Sequence, residues 1–194
     1  MTRVIAGSAR GRRLEVPPGT GTRPTGDRAR EALFSVLGAR VPGAVVADLF
    51  AGSGGLGIEA LSRGAARAVF VERDPRAAAV VRANLERTGL AGAATVVRGD
   101  ADAFCARPRG HPFDLVLVDP PYARPLAGVW SLLTALRDAG GLAPAATVVV
   151  ERDRRDAALT RGPPAWLALD HPRSYGDTVL LVMRRPPDGT EPTP

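Results

Sequence analysis

Val45-Val46-Ala47-Asp48-Leu49-Phe50-Ala51-Gly52-Ser53-Gly54-Gly55-Leu56-Gly57 runs from an apolar stretch into a glycine-rich turn, and its reading decides the fold. The first six residues are apolar apart from Asp48, the composition of a strand buried on both faces of a sheet. The glycines then open a helix to about Arg63, and Ala68-Val69-Phe70-Val71-Glu72 reads as the next strand. Strand, helix and strand in so short a span require a right-handed parallel crossover.

Downstream the alternation continues. Asp74 before Pro75 is an N-cap followed by proline at the first helical position, and that helix runs through Asn84 to stop near Gly89. Strands follow at 94–98, 113–118 and 146–151, with helices at 101–107 and 126–139 between them. A short helix at 153–160 precedes two last strands, 166–170 and 178–183, which are expected to pair as an antiparallel hairpin at one sheet edge. The predicted fold is α/β and Rossmann-like: a seven-stranded, mostly parallel sheet with helices on both faces and an antiparallel C-terminal β-hairpin.

Upstream, residues 3–6 and 12–16 alternate loosely around Gly7 and Gly11, which predicts a small β-hairpin carrying Arg10, Arg12 and Arg13 near its turn. A loop follows, and Ala29, Leu33, Val36 and Leu37 then recur at helical spacing, giving a helix over 27–38 with Thr25 or Asp27 as its cap. Pro42-Gly43 ends this segment. The organisation is thus an N-terminal hairpin and helix extension (1–40), a main domain (41–185) and a tail (186–194) with nothing to bury, expected to be disordered.

A chain of 194 residues that is 45% hydrophobic can bury one substantial core. One cysteine, Cys105, excludes an internal disulfide and a multi-cysteine metal site, and is expected to be a small buried side chain. No apolar run reaches the roughly 20 residues a bilayer span needs, and the amino terminus carries no signal-peptide pattern, so a cytoplasmic protein away from membranes is expected. Of the net charge of +6, +5 comes from residues 1–40, where eight arginines face Glu15, Asp27 and Glu31. That concentration points to a polyanion, most simply nucleic acid, or else to a solvated face. His111 and His171 have no metal-ligand spacing, and no metal is expected; Trp130 and Trp166 read as packing residues. The run Glu151-Arg152-Asp153-Arg154-Arg155-Asp156 reads as a solvated helix start.

Chemistry is concentrated at the carboxyl ends of the parallel strands, where ligands bind in open α/β sheets. Gly52, Gly54 and Gly57 satisfy the G-x-G-x-x-G dinucleotide fingerprint, with Glu72 ending the next strand. Yet Asp48 stands where a pyrophosphate would approach, and a carboxylate there repels phosphate and attracts a cation. S-adenosylmethionine suits the set: Asp48 works through the ammonium or an ordered water, Glu72 is placed for the ribose hydroxyls and Asp100 for the adenine amino group. After the fourth strand, Asp119-Pro120-Pro121-Tyr122 joins an acceptor, a stiff turn with freed carbonyls and an aromatic face. Such a set fits a flat ring with an exocyclic amine. Alternatively each Asp caps a helix, a common role after a strand.

Taken together, Asp48 to Gly54, Glu72, Gly99-Asp100-Ala101 and Asp119-Pro120-Pro121-Tyr122 resemble the class I S-adenosylmethionine-dependent methyltransferases of exocyclic amines. More narrowly, Arg3-Val4-Ile5-Ala6-Gly7, Gly11-Arg12, Thr22-Arg23-Pro24-Thr25, Asp27-Arg28, Arg30-Glu31-Ala32-Leu33-Phe34 and Tyr175-Gly176-Asp177-Thr178 resemble the RsmD family, bacterial methyltransferases of guanine N2 in 16S ribosomal RNA. The resemblance implies cofactor contacts from Arg23, Pro24, Thr25, Asp48, Phe50, Ala51, Gly52, Ser53, Gly54, Glu72, Arg73, Asp100 and Ala101. It implies catalysis by Asp119, Pro120, Pro121 and Tyr122. Arg3, Arg10, Arg12 and Arg13 would hold RNA backbone, with 16S RNA or the small subunit as partner and the enzyme a monomer. Whether Arg23 meets the cofactor carboxylate or RNA phosphate stays open. Three rival readings remain: a DNA adenine-N6 methyltransferase, a nicotinamide-dependent oxidoreductase, and a catalytically silent RNA-binding assembly factor.

Overall fold

The computed structural model describes residues 2–17, 26–170 and 172–187. Arg23, Pro24, Thr25 and most of the expected tail lie outside these residues.

β1 (Thr2–Arg3) and β2 (Arg13–Leu14) form a two-stranded antiparallel ladder. It is shorter than the predicted hairpin because the next amides are engaged elsewhere: Ile5 and Ala6 donate to the Glu59 carboxylate at 2.7 and 3.1 Å. α1 (Asp27–Leu37) follows with Gly26 at the N-cap position; of the two expected caps, Thr25 lies outside the described residues and Asp27 instead pairs with Arg30 at 2.9 Å.

The main sheet comprises β3 (Val45–Leu49), β4 (Arg67–Glu72), β5 (Ala94–Arg98), β6 (Phe113–Val118), β7 (Leu142–Asp153), β8 (Ala168–Leu169), β9 (Arg173–Tyr175) and β10 (Thr178–Arg184). The order is β5-β4-β3-β6-β7-β10-β8, with β9 beside β10 as well. β3 to β7 are parallel, as expected, and β10 pairs antiparallel with β7. Seven positions across the sheet therefore hold eight strands: the edge strand expected over 166–170 is reduced to β8, and Arg173–Tyr175, expected as connection, forms β9 on β10 as well. Between β3 and β6 the connection reverses direction, and this switch point opens a crevice at the strands' carboxyl ends.

α2 (Gly55–Ser62), α3 (Pro75–Thr88), α4 (Ala101–Ala106) and α5 (Leu126–Asp138) are the crossover helices. Alternation along β3 divides the core: Val46 packs with Leu33, Phe34, Leu37, Ile58, Val81 and Leu85, whereas Ala47 and Leu49 pack with Phe104, Cys105, Val129 and Leu133. So α1, α2 and α3 cover one face and α4 and α5 the other. Asp74 caps α3 as read from the sequence, accepting from Arg76 and Ala77 at 2.7 and 3.0 Å, and Gly89 ends it at φ +74°. Cys105 is buried, and Trp166 packs against α5, its indole N–H 3.3 Å from Thr134 Oγ1.

Two expectations near the C-terminus are corrected. β7 starts at Leu142, past an irregularity where Ala145 takes φ +60°, and runs on to Asp153, so the helix expected from 153 is only a 3-10 turn at Ala157–Arg161. The charged run from Glu151 is not solvated at its start. β10 pairs Leu180 with Glu151 and Val179 with Arg152, leaving both charged residues buried, and Arg152 is neutralised by Asp156 at 2.5 Å.

Candidate active site

A cleft of about 580 Å³ opens over the switch point, within the size range of small-ligand sites. Its walls include Asp48, Phe50, Ala51, Gly52 and Ser53 from the β3–α2 turn, Glu72 and Arg73 after β4, Asp100 and Ala101 after β5, and Asp119 and Pro121 after β6. Of the described residues that the sequence assigned to the cofactor, only Gly54 is not on that wall; it forms the left-handed N-cap of α2 at φ +79°.

Phe50 makes the turn possible in an unusual way. It adopts φ +70°, a strained conformation for an aromatic residue, while its N–H and that of Ala51 both donate to the Val71 carbonyl. Arg124 lies 5.4 Å over its ring. Gly57 is needed for room: a Cβ there would come within 2.4 Å of the Phe70 ring and 3.0 Å of Asp48 Oδ2.

The four carboxylates differ in what holds them. Asp48 is 2% exposed and accepts from the Gly57 N–H at 2.9 Å. Burial pushes its carboxyl up to about 7, the Gly57 bond working against the rise and Glu72 adding to it. Glu72 accepts from Gly52 at 2.9 Å with one oxygen and from Asp74 at 2.8 Å with the other; each oxygen has a second lone pair for a hydroxyl. Asp100 does cap α4, but both bonds, to the amides of Asp102 and Ala103, use Oδ1. The capping and the ligand readings are therefore compatible. Asp119 is half-buried, and burial, then Glu151, then Asp48 hold its carboxyl well above the usual range, with Arg152 opposing.

Carboxylates gathered at one strand edge suit a ligand that carries cationic charge, ribose hydroxyls and an exocyclic amine. The donor set therefore fits S-adenosylmethionine. Beyond Asp119, the Pro121 carbonyl accepts the Arg124 N–H at 2.8 Å, and Tyr122 is 56% exposed.

Four residues carry parts of this site that the sequence reading missed. Arg30 and Arg124 line the cleft. Asn84, fully buried on α3, donates to the carbonyls of Ser53 and Glu15 at 2.9 and 3.0 Å and accepts from the Glu15 N–H at 2.8 Å. It thereby joins the glycine turn to the N-terminal segment. Glu59 holds Ile5 and Ala6 from the buried side of α2. The basic residues assigned to RNA, Arg3, Arg10, Arg12 and Arg13, are all exposed; Arg3 lies 3.7 Å from Asp27 and Arg12 spends a guanidinium nitrogen on the Arg87 carbonyl near the end of α3.

The family model described as Conserved hypothetical protein 95 matches residues 2–184. The chain belongs to that family. Ribosomal RNA small subunit methyltransferase D of Escherichia coli is 40% identical over 187 residues, 96% of this chain and 91% of the relative. YlbH of Bacillus subtilis is 42% identical over 186 residues, covering 94% and 98%. The solved structure of Escherichia coli yhhF superposes with a TM-score of 0.81 at 39% identity, covering 96% of this chain and 98% of that one. Family and architecture agree with the RsmD resemblance: a class I methyltransferase fold with a mostly parallel sheet and a C-terminal antiparallel hairpin.

Proposed function

We propose that this member of the family transfers the methyl group of S-adenosylmethionine to the exocyclic N2 amine of a guanine in 16S ribosomal RNA. The observation that carries the reading is that Asp119 lines the cleft across the switch point from Asp48, with Pro120 next to it in the chain and Pro121 on the same wall. The relatives' names support ribosomal RNA as the substrate class. The nicotinamide reading gives Asp48 and Asp119 no role.

When bound, the cofactor supplies an electrophilic methyl on a sulfonium. Asp48, Glu72 and Asp100 are the residues that would hold its ammonium, ribose and adenine ends. The guanine amine is a poor nucleophile because its lone pair is delocalised into the ring. Asp119 and the Pro120 carbonyl would accept hydrogen bonds from its two N–H groups, orient it and let the lone pair localise, and the methylated nitrogen then loses one proton. Asp119 does this as a carboxylate, and cationic charge in the cleft favours that form. Tyr122 offers an exposed ring for stacking, a contact worth about 1–3 kcal/mol per base in single-stranded nucleic acids. The base reaches such a rim unpaired or flipped out. Residues 1–40 serve as the RNA-binding extension that also covers the cofactor, with Arg3, Arg10 and Arg13 against the phosphates.

Incubation with labelled S-adenosylmethionine and small subunits from a strain lacking the modification, followed by nucleoside analysis, tests this. Label in N2-methylguanosine is expected. Label confined to N6-methyladenine of DNA would overturn the substrate.

A further inference from the structure

One corner of the cleft brings the N-terminus of α2 against a buried arginine. Arg30 is 2% exposed, yet it lines the cleft beside Asp48, Ser53 and Gly55. Its Nη2 donates to the Arg3 carbonyl at 2.5 Å and to Asp27 Oδ1 at 2.9 Å. Its Nε has no hydrogen-bond partner among the described residues, Glu59 Oε2 standing off at 4.0 Å. Nη1 lies over Gly55, where an added Cβ would come within 3.2 Å of it.

Gly55 and Leu56 open α2, so the helix itself offers their N–H groups no acceptor. The amides that follow are engaged: Gly57 donates to Asp48 and Ile58 to the Gly54 carbonyl. A guanidinium edge, two amides of cleft-lining residues at the positive end of a helix and the missing side chain at Gly55 together form a socket for a small anion. The other cations on the cleft wall are placed differently. Arg124 gives both terminal nitrogens to Asp102, at 2.8 and 2.6 Å, and Arg73 and Arg76 are exposed beyond Glu72.

We propose that Arg30, with the Gly55 and Leu56 amides, binds the carboxylate of the cofactor's amino-acid end. This rests on the methyltransferase reading and gives Arg30 the carboxylate contact that was one of two roles left open for Arg23, which lies outside the described residues. The guanidinium also holds the Arg3 carbonyl, so the carboxylate and the first strand share one anchor. Arg30 is then a binding residue and a brace at once, and the experiment has to separate the two.

Calorimetric titration with S-adenosylhomocysteine and with 5′-methylthioadenosine, which lacks the amino-acid end, does so. In Arg30→Met the affinity for S-adenosylhomocysteine should fall about 10- to 100-fold, while that for 5′-methylthioadenosine should stay within about threefold. Gly55→Ala crowds the same socket and leaves the bonds from Arg30 to Arg3 and Asp27 in place. It should show the same selective loss even if Arg30→Met fails to fold. Equal loss of both ligands in each variant, or unchanged binding of S-adenosylhomocysteine, would make Arg30 a brace only and overturn the assignment. If the unsubstituted protein binds neither ligand, the methyltransferase reading itself fails and takes this proposal with it.

Discussion

Replacing Asp48 by Asn should stabilise the cofactor-free protein and weaken its hold on the cofactor. The Asp48 carboxyl rises from an ordinary 3.8 to about 7 on folding. Between those values the folded protein keeps a proton that the unfolded chain has released, so stability falls as pH rises through this window and levels off above it. A rise of that size corresponds to roughly 4 kcal/mol. Asn has no such penalty, and its side-chain oxygen can still accept the Gly57 N–H now 2.9 Å from Asp48 Oδ2. The two proteins should therefore be close in stability at pH 4 and diverge by up to about 4 kcal/mol at pH 8. Relief of the repulsion on Asp119 acts in the same direction. Urea unfolding at pH 4, 5.5, 7 and 8.5, followed through Trp130 and Trp166, measures the difference. A gap that does not change between pH 4 and 8, or one that closes with rising pH, would refute a buried, proton-holding Asp48.

Asp119→Ala should abolish methyl transfer while S-adenosylhomocysteine still binds within a few fold; in the unsubstituted enzyme, turnover should be lost as pH falls through the raised Asp119 pKa. Normal turnover in the variant would remove Asp119 from the mechanism. Asn84→Ala leaves a cavity on α3 and removes the part-buried bonds to Glu15 and Ser53, and should cost about 1–3 kcal/mol in urea unfolding; a loss below about 0.5 kcal/mol would mean those contacts are dispensable. Gly57→Ala should cost about 1–3 kcal/mol through overpacking against Phe70, and an unaltered unfolding midpoint would contradict the packing described. Removing Arg10 and Arg13 together should weaken RNA binding at low salt and flatten the log–log salt slope by about 1–2, with cofactor affinity unchanged; an unaltered slope would place RNA elsewhere.

The parallel core and the four strand-end carboxylates were legible because they depend on local pattern. Apolar runs, glycine turns and Asp74-Pro75 specify their elements within a few residues. Arg30 and Asn84 were half legible. Arg30 shares a helix face with Leu33, Phe34 and Leu37, and Asn84 shares one with Val81 and Leu85, so each is a polar group on a buried face. Such a pattern announces a buried partner but does not name it, because Glu59 and Glu15 lie 29 and 69 residues away. Glu151 and Arg152 were read as solvated because only β10, almost thirty residues later, covers them. The early start of β7 was hidden by Pro144 and by the irregular backbone at Ala145.

The way the first residues are fastened has a consequence for synthesis. Ile5 and Ala6 wait for Glu59, Ser8 and Ala9 for Ser62, and Glu15 for Asn84, each a partner synthesised 53 to 69 residues later. A nascent chain ending before α3 can form β3, α2 and β4 yet has nothing to hold Glu15. Until then the N-terminal residues lack these bonds, and closing them is a long-range step of the kind that slows folding. A chain that begins at residue 41 would finish worse, because Glu59 keeps only Arg63 and Asn84 only the Ser53 carbonyl, each buried and short of the partners the N-terminal segment supplies.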